Sequence, residues 1–289
     1  MAPAAPRASL SAITMGAADM TGMVVPSSVS TSEIFAQITS QAATAAEASA
    51  VMAPHLNEMV ISHSTLPDAI AAVISSRISS GSALPRDILA TELSQLLGEP
   101  TNAAAAASDL LAVVESDPAA PDLLTVMLHF KGFLALQCHR AAHSLWTRRD
   151  GDAGATQLAL MLQGRASELF GVDIHPGAQI GAGVFIDHAT GLVVGEQASV
   201  GSGCYILHGV TLGATGKRDK ATGRRHPCVG SGVTIGSGAS LLGPITVGDG
   251  ATIGTQAVVT KSVEAGATVI DTGYLGNKVL APRKKKAAP

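Results

Sequence analysis

The chain has 289 residues, enough for one large domain or two ordinary ones. Hydrophobic residues make up 46%, aromatic residues 3% and charged residues 14%, so Ala, Gly, Val, Leu and Ile must fill the interior, and a mean hydropathy of +0.32 excludes a disordered chain. A net charge of −3 with few aromatics argues against a nucleic-acid binder. Cys138, Cys204 and Cys228 form no CxxC pair or even set, and no apolar run approaches the roughly 20 residues that span a bilayer.

Residues 1–30 are small, mixed in polarity and aperiodic, which predicts a disordered N-terminal segment. One arginine and Asp19 make a poor organelle-import signal, so a cytoplasmic protein is expected. Residues 31–170 are Ala- and Leu-rich with helical spacing, as at Ile88, Leu93, Leu96 and Leu97 and at Leu123, Leu124, Met127 and Leu128. Prolines 54, 67, 85, 100, 118 and 121 divide this part into helices of moderate length. The run from Leu128 to Trp146 reads as one long helix, with Phe130, Phe133, Leu134, Leu136 and Trp146 on its apolar face.

From Gly171 onward the texture changes. Of the 31 glycines, 21 lie between Gly171 and Gly266, a stretch whose aromatics are Phe185 and Tyr205. Aliphatic residues recur every sixth position at Ile174, Ile180, Ile186 and Leu192, then at Val194, Val200, Ile206 and Leu212. The series resumes at Val229, Ile235, Leu241, Val247, Ile253 and Val259. A period of six suits short strands joined by tight turns, each strand sending one aliphatic side chain inward. The coil is predicted over 171–270, with 271–289 as a tail whose basic run Arg283–Lys286 is solvated.

His188 follows Ile186 by two places, and His208 follows Ile206 by two. Three hexapeptides plus the two-residue slip between Leu192 and Val194 bring the histidines onto neighbouring coils, about 4.8 Å apart along the axis. Asp173, fifteen residues before His188, falls close to one coil below, where its carboxylate can reach the imidazole. A histidine oriented by a carboxylate is the recurring form of a general base. Between Leu212 and Val229 about eleven extra residues must leave the coil as a loop, carrying Lys217, Arg218, Lys220, Arg224 and Arg225 against Asp219. Such a basic loop suits anionic ligands.

The repeat resembles the hexapeptide acyltransferases, which implies a left-handed parallel β-helix behind an all-α helical domain. The runs GVDIHPGAQIGAG, DHATGLVVGE, LHGVTLGATGK and RRHP, and upstream ESDPAAPD with LLTVMLHFKGFLALQCHRAAHSLW, resemble serine O-acetyltransferase in particular. The resemblance implies acetyl transfer from acetyl-CoA, a co-substrate rather than a bound cofactor, to L-serine. His188 with Asp173 would be catalytic. Asp117 and Asp187 would hold the serine ammonium, Arg225 its carboxylate, and His226 would line the pocket. CoA would lie near Ala214, Thr215, Ser237, Ala251 and Thr255.

The resemblance further implies a homotrimer or a dimer of trimers with sites between subunits, and feedback inhibition by cysteine. Docking to cysteine synthase is not expected, because the sequence ends in APRKKKAAP rather than isoleucine. The alternative is another hexapeptide O-acetyltransferase acting on a sugar or other small hydroxyl acceptor, which needs no cationic loop for a carboxylate. A metal hydratase on the same coil is disfavoured, since His175, His188, His208 and His226 show no HxxxxH pair. No membrane or nucleic-acid partner is expected. His175 is expected to be structural, beside Pro176.

Overall fold

The computed structural model describes residues 30–80, 83–148, 150–271 and 277–281. The expectations for the N-terminal segment and the basic run 283–286 fall outside these residues.

Among the described residues eight α-helices come first: α1 (Thr31–Ala48), α2 (Ala53–Leu56), α3 (Leu66–Ser79), α4 (Arg86–Leu97), α5 (Pro100–Ser116), α6 (Leu123–His129), α7 (Lys131–Thr147) and α8 (Ala153–Phe170). Their starts obey local chemistry. Ser30 and Glu33 form a capping box, and the side chains of Thr65, Asp122 and Asp152 accept first-turn amides. Pro54, Pro67 and Pro100 lie in first turns, where no amide partner is lost. None of the described helices is long and apolar enough to cross a membrane.

Two helical expectations need correction. Ile88 is 70% exposed, and the buried stripe of α4 is Leu89, Leu93, Leu96 and Leu97. The expected helix from Leu128 to Trp146 is broken at Phe130, whose extended backbone ends α6 and starts α7. The break serves packing. It sets Gly132 so close to the next domain that a Cβ there would lie 1.9 Å from the Ile186 carbonyl oxygen, and no residue but glycine fits that approach.

α8 ends at Phe170, with Gly171 in the left-handed region at φ 70°. Beyond it the chain coils through three parallel faces. The first carries Ile174, Val194, Leu212, Leu241 and Val259; the second Ile180, Val200, Val229 and Val247; the third Ile186, Ile206, Ile235, Ile253 and Val269. All the sixth-position residues expected inside are buried except Ile180, which is half-buried. A second inward column stands two residues before the first and includes Ala178, Ala198, Cys204, Ala239, Ala251 and Ala257. The first coils advance by twenty residues (Phe185 opposite Tyr205) and a regular coil by eighteen (Thr234 opposite Thr252). The step that spans the loop is twenty-nine (Ser199 opposite Cys228), eleven more than a regular coil.

The coil runs past the predicted end. Thr268–Asp271 continues the third face, and Asn277–Leu280 returns beside it antiparallel, so part of the expected tail is a strand. One buried ion pair ties the two domains together. Asp109 of α5 accepts from Arg140 and Gln137 of α7 and from the Val184 amide of the coil, while Arg140 also donates to the Ile180 and Gly181 carbonyls.

Candidate active site

The corner between the third and first faces carries a column of polar residues on successive coils: His188, His208 and Thr255, all exposed, and the half-buried Ser237. The backbone ladder that stacks them runs from the Gly209 amide to the Thr190 carbonyl, from Gly238 to His208 and from Gln256 to Ser237. The His188 and His208 rings are 5.6 Å apart, edge to face, as the twenty-residue spacing predicts.

His188 and Ala189 both have φ of 58°. Two consecutive non-glycine residues in the left-handed region cost free energy, which the surroundings must offset. The buried methyl of Ala189 anchors the turn. The Thr190 amide bonds back to the His188 carbonyl, and Lys131, at the start of α7, donates to the Thr190 hydroxyl. The imidazole is therefore presented outward, 72% exposed, with Nε2 3.6 Å from Asp187 Oδ1.

The pairing expected between Asp173 and His188 is not formed. Asp173 lies on the rung below, as the spacing requires, but its Oδ1 accepts from Gln163 Nε2 of α8 at 2.7 Å. A helix side chain reaches that carboxylate first, while the left-handed turn aims His188 toward Asp187 and His208.

Asp187 is only 16% exposed, and its Oδ2 accepts from the Tyr205 hydroxyl at 2.9 Å. Asp117, the residue that ends α5, accepts the Ala119 amide through Oδ1. It lies close enough for its charge to act on Tyr205. The helical domain thus delivers Asp117 toward the corner of Asp187 and His188, and the two predicted ammonium ligands share a neighbourhood.

Arg225 and His226 lie elsewhere. The loop leaves at the corner between the first and second faces and folds on itself through Asp219, whose Oδ1 accepts from the Ala221 and Thr222 amides and the Thr222 hydroxyl. Arg225 faces Glu196 at 3.6 Å, and Arg224 donates to the Gln197 carbonyl. His226 is buried against Gly195, where a Cβ would meet its ring at 2.2 Å, and its Nδ1 accepts the Gln197 amide. Burial first and the Arg225 charge second hold this imidazole below its usual range. A whole coil face separates this corner from that of His188.

The predicted CoA contacts divide in the same way. Ser237 and Thr255 continue the His188 column, and Ala214 and Thr215 are exposed where the loop departs. The Ala251 side chain is fully buried in the coil interior, so any contact there would fall to its backbone. His175 is structural as expected: its Nδ1 accepts the Gly177 amide and its ring meets Trp146 edge-on.

Residues 34–138 match the family description "Serine acetyltransferase, N-terminal", and residues 229–261 match "Bacterial transferase hexapeptide (six repeats)". A probable serine acetyltransferase 4 of Oryza sativa subsp. japonica is 44% identical over 234 residues, 81% of this chain and 70% of its own length. The chain belongs to the serine acetyltransferase family. The serine acetyltransferase of Neisseria gonorrhoeae in complex with serine superposes with a TM-score of 0.77 at 39% identity, covering 86% of this chain and 97% of its own. That of Brucella abortus strain S19 in complex with Coenzyme A gives 0.78 at 37% identity, covering 86% and 95%. Among further curated plant relatives the chain spans about three fifths of their length.

Two residues of this family member's corner escaped the sequence reading. Lys131 stands outside any motif tied to chemistry, and nothing local links it to Thr190. Tyr205 did leave a signal: it follows Phe185 by one twenty-residue coil, and the rings stack at 4.9 Å.

Proposed function

We propose that the chain moves the acetyl group of acetyl-CoA to the hydroxyl of L-serine by direct transfer in a ternary complex, with His188 as general base. The observation that carries this reading is the exposed imidazole on its left-handed turn, beside Asp187 and at the foot of a polar column along which a thioester can lie. His188 Nε2 takes the hydroxyl proton as the serine oxygen attacks the thioester carbonyl carbon. The tetrahedral oxyanion collapses, the carbon–sulfur bond breaks, and His188 returns the proton to the departing thiolate. Asp187 and Asp117 supply negative charge for the serine ammonium and for the imidazolium that forms. Asp173 is assigned as the reserve carboxylate on the rung below, held by Gln163 in the free chain. The transfer needs no acylated cysteine, and Cys138 and Cys204 are buried, which pushes their thiols up to about 12 and about 11.

The serine carboxylate needs a cation, and the assigned one, Arg225, is a coil face away from His188. Crossing a face takes a run of residues such as Leu192–Glu196, roughly 15 Å of extended chain, too far for one amino acid to bridge. We therefore assign the complete site to two copies of the chain in a trimer, with His188 from one and Arg225 and His226 from its neighbour. Cysteine has the same ammonium and carboxylate as serine and would compete there.

Subunit mixing tests this. His188→Ala and Arg225→Ala proteins, each weak alone, should regain acetyl transfer when dissociated and reassembled together, because some sites then hold both native residues. Arg225→Ala alone should raise KM for serine about 10-fold or more, as expected for loss of a charge-assisted contact. A mixture no more active than the sum of its parts would place the whole site in one copy. Sugar acceptors consumed in preference to serine would favour the alternative acetyltransferase.

A further inference from the structure

The outward column of the third face reads Phe185, Tyr205, Thr234, Thr252 and Thr268. A coil rung does not require an aromatic at the outward position, and the threonines show what suffices. Phe185 is covered by the helical domain and almost fully buried. Tyr205 extends that covered surface by one rung, stacked on Phe185 at 20° between ring planes, and its hydroxyl emerges at the edge of the site.

That hydroxyl donates to Asp187 Oδ2 at 2.9 Å. The other oxygen, Oδ1, is the one that faces His188 Nε2. An aspartate carboxylate turns freely about its last torsion, whose wells are broad. A donor fixed by ring stacking removes that freedom and commits one oxygen to the protein and the other to the site. Burial, then the hydrogen bond and charge of Asp187, push the phenol up to about 12, so it is a donor at neutral pH.

We propose that Tyr205 is a positioning residue for the acceptor's ammonium group: it clamps Asp187 so that Oδ1 is presented beside His188. This rests on the reading of the corner as the serine site, and it makes Tyr205 a determinant of acceptor affinity rather than of the chemical step.

Tyr205→Phe keeps the stack and removes the donor. Initial rates with L-serine and acetyl-CoA should show KM for serine raised about 10-fold, with kcat within about 3-fold and KM for acetyl-CoA unchanged. A lost hydrogen bond to a charged group is of that order. In an Asp187→Asn background the same change should add less than 2-fold, because the partner it clamps is already altered. A tyrosine that merely fills space would shift unfolding and leave the KM split untouched. Equal serine KM in wild type and Tyr205→Phe, or the same fold loss in both backgrounds, would overturn the clamp. A wild-type protein with no serine-dependent thiol release would instead overturn the reading of the corner itself.

Discussion

His188→Ala should lower kcat by about 10²–10⁴-fold, the usual worth of a positioned general base, and leave the fold intact. The imidazole is 72% exposed and meets the side chains of Asp187 and His208 at the surface, so truncating it opens no cavity. The turn is held by other groups: the buried Ala189 methyl, the Thr190 amide and Lys131. His188→Asn provides a control, since asparagine tolerates the left-handed backbone better than alanine. Both variants should unfold at the wild-type temperature, and neither should turn over at more than about a hundredth of the wild-type rate. Near-normal turnover in either would remove His188 from the mechanism.

Asp109→Asn should be the most destabilising conservative change in the protein. The carboxylate is completely buried and Arg140 nearly so. Between them they join α5, α7 and the first coil through bonds of 2.8–3.2 Å. A buried pair formed from water is weak net stabilisation, but breaking one leaves an uncompensated charge and costs about 3–5 kcal/mol. Asparagine keeps the shape, removes the charge and turns an amide toward donors that cannot accept from it. For a chain of this size the cost corresponds to a drop of about 10 °C in Tm. Thermal unfolding at neutral pH with and without the substitution measures it. A Tm within a degree or two of wild type would mean that water or a shifted Arg140 satisfies the site.

The coil was legible because a β-helix writes its geometry as a period. Ile174 through Val259 take their inward places as the spacing dictates, and the eleven-residue loop follows from one interrupted step. His188 and His208 are neighbours for the same reason. Legibility ends where a partner comes from outside the repeat. Spacing puts Asp173 on the right rung but cannot show that Gln163, on the preceding helix, takes its oxygen. Phe130 breaks a helix that its own sequence favours, because Gly132 must come against the Ile186 carbonyl. The last coil also slips from view: it is two residues short, with Val247 bridging Val263 and Thr252 pairing with Thr268, so the six-residue rule fails just before the final hairpin. Tyr205 is visible as an aromatic in a run of small residues, but its hydrogen bond to Asp187 is a matter of corner geometry.

Release of free thiol from acetyl-CoA, followed with and without L-serine at neutral pH, bears most directly on the corner of His188. The site described above predicts release that depends on serine, saturates with it, and vanishes in His188→Ala. Release indifferent to serine, or unchanged by loss of that imidazole, would contradict it.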